Sequence, residues 1–389
     1  MVPAAVGVSA SGVAVVGAAE TEEIGTVALS ALGLATDAAR RALADCGLTP
    51  ADVDGVASSG LSPYLPSFVA HSLGIEARWA DATMVGGCSN LVHLRHAAAA
   101  IEAGQCEVVL ITHGESGRSG LGGPLVLPGP GAWQGQFELP YGTVGPMTLL
   151  TLGALRFLRD RGLEPDALAN VVVAQREWAA RNPRALRRDP ITVDEVLDSP
   201  VVAYPFTRPM CCVTTDAGGA VVVTSAERAR DLPRPPVHVL GSGEATGAAM
   251  ASQMPDLTSS DAFRRSGAAA FAEAGVAPSD IQHAMLYDAT AHLPLMALED
   301  VGLVPRGESG AFVADGHTAI GGSLPVNTSG GGLNYTHSGM YGMYALQESI
   351  RQLRGEAAAQ VDGVTTSLTH AIGGMFQSAA TVVLSTETP

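Results

Sequence analysis

A cysteine stands in a glycine-rich turn, between a short apolar run and an alanine-rich segment with the pattern of a helix. Residues 83–90 read Thr-Met-Val-Gly-Gly-Cys-Ser-Asn, and the helix is predicted over 89–103. The amides at a helix start are unpaired and carry roughly half a positive charge, which favours a thiolate there. Cys88 is therefore the first candidate nucleophile. The other four cysteines are predicted to be packing residues, because they lie in apolar runs or at helix ends.

A histidine occupies a matching place later in the chain. Residues 327–342 form a second glycine-rich segment ahead of a helix predicted over 339–353, and His337 lies within it. A histidine in this position can act as a hydrogen-bond donor or as a base. A cysteine and a histidine at two equivalent helix starts indicate covalent acyl chemistry.

Two more candidates close predicted strands. Tyr287 follows the strand 282–286, and loops at the carboxyl ends of strands commonly collect functional groups. His370 ends a strand that begins at residue 364 and is a second candidate base. It stands beside Gly373 and Gly374, whose backbone amides are candidates for an oxyanion hole.

The chain resembles itself, and this repeat predicts how the candidates are brought together. Residues 42–56 and 270–284 each read as a helix end, a glycine cap, a proline turn and an apolar strand. Both are followed by a glycine-rich loop, a helix and another strand. We therefore predict an α/β fold of two similar halves, 1–228 and 237–389, joined by a proline-rich linker. An insertion at about 116–210 is expected to cap the site with loops and helices.

The composition narrows the class of protein. Apolar residues make up 47% of the chain and charged residues 15%, which is typical of a compact enzyme, and no apolar run approaches the ~20 residues of a membrane span. A net charge of −16 argues against a nucleic-acid partner. Five cysteines without zinc spacing indicate a reducing cytoplasm, and no ligand set for a metal is complete.

Taken together, these stretches resemble the thiolase superfamily along nearly the whole chain, and most of all its sterol-carrier-protein-X and lipid-transfer type. The resemblance implies a five-layer α-β-α-β-α fold, a homodimer and a role in lipid metabolism. It also implies a thioester of coenzyme A or of a carrier protein as substrate, with no permanently bound cofactor. The motifs that carry it are GGCSN, HAAAAIEAGQCEVVLITHGES, CCVTTDAGGAVVVTSAERA, YDAT, LEDVGL and LPVNTSGGGLNYTHSGMYG.

The resemblance also assigns roles and exposes two departures. Cys88 matches the acyl-accepting nucleophile of the family, and His337 matches the histidine of its Gly-His-Pro motif. The second family cysteine, which handles the α-proton, has no counterpart in residues 369–374. Tyr287 stands where sterol-carrier-type thiolases usually have histidine. A tyrosine there is similar to the steroid side-chain aldolases, which typically lack the nucleophilic cysteine and work with an OB-fold, acyl-CoA-associated partner.

Three hypotheses follow. The leading one is a thiolase-like acyltransferase that makes or breaks a carbon–carbon bond through a Cys88 acyl-enzyme, with His337 at the oxyanion and His370 or Tyr287 moving the proton. The alternative is a retro-aldolase on a β-hydroxyacyl thioester, with Tyr287 as acid or base and His337 assisting. The third is a non-catalytic, thioester-binding subunit of a complex.

Overall fold

The structure is a computed structural model that describes residues 12–60, 64–121 and 129–388. Its strands alternate with helices through most of the chain, as expected for an α/β protein. The strands are β1 Val13–Glu20, β2 Gly55–Ser58, β3 Trp79–Asp81, β4 Val108–Ser116, β5 Val201–Ala203, β6 Phe206–Thr207, β7 Asp216–Ser225, β8 Val237–Thr246, β9 His283–Leu286, β10 Thr366–Gly373 and β11 Ser378–Ser385.

The helices fall into long ones that pack on the sheet and short ones in the connections. They are α1 Ala31–Asp45, α2 Leu65–Leu73, α3 Ser89–Glu102, α4 Trp133–Phe137, α5 Gly145–Arg161, α6 Asp166–Ala180, α7 Val193–Leu197, α8 Ala226–Ala229, α9 Asp261–Ala274, α10 His292–Asp300, α11 Ser309–Ala314, α12 Gly331–Asn334 and α13 Gly342–Arg354. In the described residues, no helix is both long and apolar enough to cross a membrane.

The main sheet repeats one pairing scheme on its two sides. Across the described part of the chain its strand order is β3-β2-β4-β7-β1-β8-β11-β10-β9. On one side β1, β7 and β4 pair antiparallel and β4, β2 and β3 pair parallel. On the other, β8, β11 and β10 pair antiparallel and β10 and β9 pair parallel. We propose that these two series mark the halves 1–228 and 237–389.

The two series meet at a narrow seam and enclose a central pair of helices. β1 and β8 pair through Ala14 with His238 and Val15 with Val237. Helices α3 and α13 contact strands of both series, whereas α1 and α2 cover the first series and α9 covers the second. The layers are therefore helix, sheet, helix, sheet, helix. The predicted thiolase fold, with five α-β-α-β-α layers, is confirmed.

Strand β4 shows how the fold delivers side chains to the central layer. Alternate residues of a strand point to opposite faces. Val108 and Leu110 pack with α1 and α2 in the outer apolar cluster, while Val109 and Ile111 join the main core. Strand β4 is thus buried on both faces, and the later residues on its inner side reach the region between the halves.

Several boundaries differ from the sequence predictions, and two of the differences matter. β10 continues to Gly373 instead of ending before His370, because all its residues from Thr366 onward pair with β11. The helix after His337 begins at Gly342, so His337 lies in the preceding loop and not at a helix start. Within the insertion expected at about 116–210 the structure has helix α4, and residues 122–128 lie outside the described residues.

Candidate active site

A cavity of about 580 Å³ lies where the loops after β4 and β9 meet helix α5 and the segment before β7. Its wall is predominantly apolar, a property common to pockets that bind small molecules. The apolar side chains include Met147, Leu150, Leu293, Ile372 and Met375. A few polar side chains converge on this surface, and they decide what chemistry the cavity can support.

Tyr287 is one of these polar groups, and both the sheet and a glycine hold it in place. Its backbone N–H donates to the His370 carbonyl, 3.0 Å away, which extends the pairing of β9 with β10. Its ring covers Gly87, where a Cβ atom would come within 2.5 Å of the phenol oxygen. The hydroxyl donates to the Gly339 carbonyl at 3.2 Å. Burial raises the pKa of Tyr287 well above 10, so the phenol is neutral near pH 7 and can donate a proton.

His337 faces the same cavity, with its ring centroid 5.5 Å from that of Tyr287. Its main chain is bonded to Thr215, whose side chain accepts from the His337 N–H at 3.1 Å and whose N–H donates to the His337 carbonyl at 3.3 Å. Thr215 precedes β7 of the first series of strands, so the first series positions a residue that lies between β9 and β10 of the second. This explains how a loop residue acquires a defined position.

The His337 ring, which lines the cavity, carries one hydrogen-bond donor without a partner among the described residues. The N–H of Gly339 contacts Nδ1 at 3.4 Å, and an acceptor at Nδ1 assigns the ring proton to Nε2. Nε2 has no hydrogen-bond partner among the described residues. Burial lowers the pKa of His337 to about 4, so the imidazole is neutral at physiological pH. A neutral ring with a free Nε2–H suits the stabilisation of a developing oxyanion.

Asp288 supports the chain that leads to His337. Its buried carboxylate accepts from the backbone N–H groups of Gly332, at 2.7 Å, and Leu333, at 3.2 Å. These amides open the short helix α12, and unpaired amides at a helix start are natural partners for a carboxylate. Burial raises the pKa of Asp288 to about 7. We assign Asp288 to positioning this segment.

A buried ion-pair network supports the other flank of the same segment. Glu20 is fully buried on β1 and is paired with Arg351 of α13 at 2.7 Å and with Arg184 at 3.1 Å. The Tyr335 hydroxyl also donates to this carboxylate. The network therefore joins β1, α13 and Tyr335, which lies two positions before His337.

Replacing Arg351 is expected to destabilise the protein strongly. Arg351→Met leaves the Glu20 carboxylate buried with only part of its compensation, which costs about 3 kcal/mol of unfolding free energy. The control is Arg306→Met, because the pair of Arg306 with Asp256 is exposed and is worth less than about 1 kcal/mol. Urea unfolding of both variants measures the difference. Equal losses would show that the network does not carry this stability.

Cys88 is placed differently from the sequence prediction. It directly precedes α3, as expected, but the described residues that line the cavity do not include it. Its Sγ is fully buried, 3.7 Å from the Val85 carbonyl and 3.9 Å from the Ser378 hydroxyl. A Cβ atom at Gly373 would come within 2.7 Å of this sulfur. Burial raises the pKa of the Cys88 thiol to about 12, which opposes a thiolate at this position. The role of Cys88 as nucleophile stays a prediction.

His370 is also not at the cavity. Because β10 continues beyond it, His370 is a mid-strand residue whose Nδ1 lies 2.8 Å from the Thr381 hydroxyl and whose ring packs edge-on against Phe263 of α9 at 4.5 Å. Burial lowers the pKa of His370 to about 3. The predicted strand end at His370 is therefore wrong, and the role of His370 as a base stays a prediction. The His370 backbone does hold Tyr287.

The two predicted oxyanion glycines separate as well. Gly374 lines the cavity, with its backbone nitrogen 2.4 Å from the place that a Cβ atom of Gly86 would take. Gly373 is the last residue of β10, pairs with Ser378 and packs on the Cys88 sulfur. Only Gly374 remains a candidate donor at the cavity, and this role stays a prediction.

Two titratable residues at the cavity were not among the sequence candidates. Glu115, near the end of β4, lines the wall and is partly buried. Cys212 also lines it, as a neutral thiol whose pKa burial raises to about 12. The signal for Glu115 was a single acidic residue that ends a long apolar strand. No group of three or more His, Cys, Asp or Glu side chains in the described residues is arranged to hold a metal ion.

Comparison with known proteins places this geometry in a family. Residues 243–386 match the family described as Thiolase C-terminal domain-like. The chain is 33% identical to a steroid side-chain-cleaving aldolase of Thermomonospora curvata, over 93% of this chain and 95% of that protein. It is also 33% identical to the 17-hydroxy-3-oxo-4-pregnene-20-carboxyl-CoA lyase of Mycobacterium tuberculosis, over 93% and 96% of the two chains.

A solved structure is similar to this chain in both sequence and fold. The Ltp2-ChsH2(DUF35) aldolase superposes with a TM-score of 0.90 and 31% sequence identity, over 97% of this chain and 98% of that chain. The similarity thus extends across both series of strands, the central helices and the cavity between them. The chain belongs to the thiolase superfamily, in the branch that contains the sterol-carrier-protein-type thiolases and the steroid side-chain aldolases.

Proposed function

We propose that this protein cleaves a carbon–carbon bond of a β-hydroxyacyl-CoA by a retro-aldol reaction. The observation that carries the proposal is the pair formed by Tyr287 and His337 at one cavity, where the Nε2–H of His337 is unpartnered among the described residues. The sulfur of Cys88 is fully buried and Cys88 is not among the described residues that line the cavity, which favours this reaction over acyl transfer. The names of the two relatives, an aldolase and a CoA lyase, support it.

The chemistry assigns one task to each side chain. Cleavage moves the electrons of the bond between the α and β carbons toward the thioester carbonyl, so negative charge develops on its oxygen. The Nε2–H of His337 donates to that oxygen and stabilises the enolate. The neutral phenol of Tyr287 acts as the acid that protonates the α-carbon. The CoA thioester takes part only as the substrate and as a product, and no permanently bound cofactor takes part.

The cavity wall indicates the kind of acyl group. An apolar wall of methionine, leucine and isoleucine side chains favours a bulky apolar chain over a short or charged one. The first substrate to test is 17-hydroxy-3-oxo-4-pregnene-20-carboxyl-CoA, the compound named for the Mycobacterium tuberculosis relative. Its hydroxyl-bearing carbon is β to the thioester carbonyl, as the reaction requires. A ketone and a shortened acyl-CoA are the expected products.

The assembly proposed for this activity contains more than one chain. The solved aldolase combines Ltp2 with ChsH2(DUF35), and we infer that this protein likewise binds an OB-fold, acyl-CoA-associated partner. We further propose a homodimer of the chain itself. Assays are therefore designed for the protein alone and for the complex that co-purifies with it.

A second candidate is an acyltransferase of the thiolase type that uses Cys88. It is favoured by the position of Cys88 at the start of α3, directly after Gly86 and Gly87, which do line the cavity. Acyl transfer requires the sulfur to lose its proton and to reach a thioester. The raised pKa of the Cys88 thiol opposes the first requirement and its packing opposes the second.

Cys88→Ala distinguishes the two candidates. The retro-aldol reaction does not use the sulfur, so kcat is expected to stay within about fivefold of wild type. A nucleophilic Cys88 instead predicts a loss of several orders of magnitude. Product formation is followed by mass spectrometry of the ketone and the acyl-CoA. Intact-protein mass spectra of the wild type give the control, because an acyl adduct on Cys88 would support acyl transfer.

A further inference from the structure

We propose that Glu115 is the general base that accepts the proton of the substrate's β-hydroxyl group. This inference rests on the proposed function and completes it, because cleavage needs a base to begin and an acid to finish. Tyr287 is neutral and supplies the acid. His337 carries its ring proton on Nε2, the nitrogen to which the proposed mechanism assigns the oxyanion. Neither group is placed to start the reaction as a base.

Strand β4 carries Glu115 into the cavity by simple alternation. Val109 and Ile111 on its inner side lie in the main core. Two residues further, His113 lies 3.0 Å from the Ser338 hydroxyl, in the loop that also carries His337. Glu115 is next on that side and lines the cavity. The strand thus changes from core to active site at its carboxyl end, where such sites commonly occur.

The carboxylate of Glu115 is held against the residue that binds Tyr287. A Cβ atom at Gly339 would come within 1.9 Å of a Glu115 carboxylate oxygen, so the carboxylate lies directly on that glycine. The carbonyl of the same glycine accepts the Tyr287 hydroxyl at 3.2 Å. Gly339 has a φ of +93°, a conformation that L side chains rarely adopt. Glu115, the proposed base, and Tyr287, the proposed acid, therefore both contact Gly339, which has no side chain.

No described residue forms an ion pair with Glu115 or donates a hydrogen bond to its carboxylate. A buried carboxylate in a structural role is almost always paired or hydrogen-bonded. Glu20 and Asp288 in this molecule follow that rule, and Glu115 does not. An unpaired carboxylate at a cavity has its acceptor oxygens free for a ligand. Desolvation raises the pKa of Glu115 to about 7, where a carboxylate can both take and return a proton.

The titratable groups around Glu115 are neutral, so Glu115 is the group among them that can carry a charge. Burial holds the neighbouring titratable groups neutral at pH 7, by lowering the pKa of His113 and His337 and by raising that of the Tyr287, Tyr344 and Cys212 side chains. The adjacent Arg118 points elsewhere, donating to the Thr26 hydroxyl and the Thr214 carbonyl. The negative charge of Glu115 is therefore uncompensated until a substrate hydroxyl donates to it.

The proton and electron balance of the reaction closes with this assignment. Glu115 removes the hydroxyl proton, the bond between the α and β carbons breaks, and the β-carbon becomes a carbonyl. The electron pair moves to the thioester enolate, which then takes a proton from Tyr287 at the α-carbon. Glu115 returns its proton to the tyrosinate across Gly339. The substrate hydroxyl proton is replaced by one on the α-carbon, and no oxidant or reductant is needed.

Glu115→Gln keeps the shape of the side chain and removes the base. We expect kcat for 17-hydroxy-3-oxo-4-pregnene-20-carboxyl-CoA to fall by about 10²-fold with little change in KM. In the wild type, kcat is expected to increase as the pH rises through about 7, because only the ionised carboxylate is a base. In Glu115→Gln this increase of kcat with pH is expected to disappear. Glu107→Gln is the matched control, since Glu107 lies at the other end of β4 with an exposed side chain.

Chemical rescue separates a base from a residue that only shapes the cavity. Glu115→Ala should regain cleavage when formate is added, because a small carboxylate can occupy the space that the side chain leaves. Unchanged kcat in Glu115→Gln, or a pH limb that persists in it, overturns the inference and leaves the proposed function intact. Failure of formate to restore any activity also counts against it.

A measurement independent of turnover keeps the two proposals apart. The carboxyl-stretch infrared difference between wild type and Glu115→Gln reports the titration of this one group. A midpoint near pH 7 supports the inference even if the substrate tested is the wrong one, whereas a midpoint near the ordinary value for glutamate overturns it. No cleavage of any β-hydroxyacyl-CoA by the wild type, alone or with its partner, overturns the proposed function.

Discussion

Tyr287→Phe is expected to lower kcat for cleavage of the β-hydroxyacyl-CoA by about 10²–10⁴-fold. The substitution keeps the ring that packs edge-on against His337 and Tyr341, at 5.5 and 5.7 Å, and removes only the hydroxyl. Without that proton donor, the enolate must take its proton from water. Steady-state kinetics with both products quantified measures the effect, and KM is expected to change little because the apolar wall is intact.

The control for this variant is another buried tyrosine in the same layer. Tyr341→Phe removes a hydroxyl that lies 3.5 Å from the Ser329 hydroxyl, and the described residues that line the cavity do not include Tyr341. Its kcat should stay near that of the wild type, and thermal unfolding of both variants shows whether either change loosens the core. A Tyr287→Phe enzyme as fast as Tyr341→Phe would contradict the assigned role.

His337→Ala is expected to cost about 10²–10³-fold in kcat, the usual effect of removing one preorganised oxyanion donor. The loss should appear in kcat and in kcat/KM alike, because the donor acts on charge that develops during the reaction. His337→Gln carries an amide N–H that can take over part of this role and should be faster than His337→Ala. Single-turnover kinetics on the CoA thioester separates this step from product release.

A different result would point to another role for the imidazole. If His337→Ala raised KM and left kcat unchanged, His337 would bind the substrate without favouring the transition state. If His337→Gln were as slow as His337→Ala, the ring and not its N–H would be the required feature. The neutral state is tested by pH. Since burial holds the pKa of His337 near 4, kcat should show no limb between pH 5 and 6.5 that disappears in the variant.

Local sequence pattern was sufficient to identify Tyr287 and His337 as candidates. Tyr287 follows a short apolar strand, and the structure places it one residue beyond β9. His337 stands in a glycine-rich loop that the fold requires to be tight. The first conclusion depends on neighbours within a few residues along the chain, and the second also on the match between His337 and Cys88 in the repeat. The repeat of strand and helix likewise predicted how the layers are built.

The burial of the Cys88 side chain could not be predicted in the same way. A helix start favours a negative charge by about 0.3–1 kcal/mol at an exposed site, whereas full burial can shift a pKa by several units. The burial comes from Gly373 and Ser378, almost 300 residues away in the chain. The local sequence therefore predicted the direction of the smaller effect on the pKa of Cys88, that of the helix start. It could not reveal the larger effect, burial by residues distant in the chain.

His370 and Glu115 show the same limit at the level of one strand. The sequence predicted that the strand closes at His370, whereas β10 continues to Gly373 and pairs His370 with Thr381 of β11. Glu115 lies in β4, which continues to Ser116. Which face each residue takes depends on the strand's pairing partners. Those partners are distant in sequence, so neither assignment follows from composition or spacing.

The seam between the two series has an evolutionary consequence. Glu115 and Thr215 belong to one repeat, Tyr287 and His337 belong to the other, and the cavity lies between them. If the proposed reaction takes place at this cavity, neither repeat holds all of its groups, and substitutions in one repeat constrain those in the other. A chimera that exchanges one repeat for that of a distant relative is then expected to lose cleavage, whereas exchange of both repeats together should keep it.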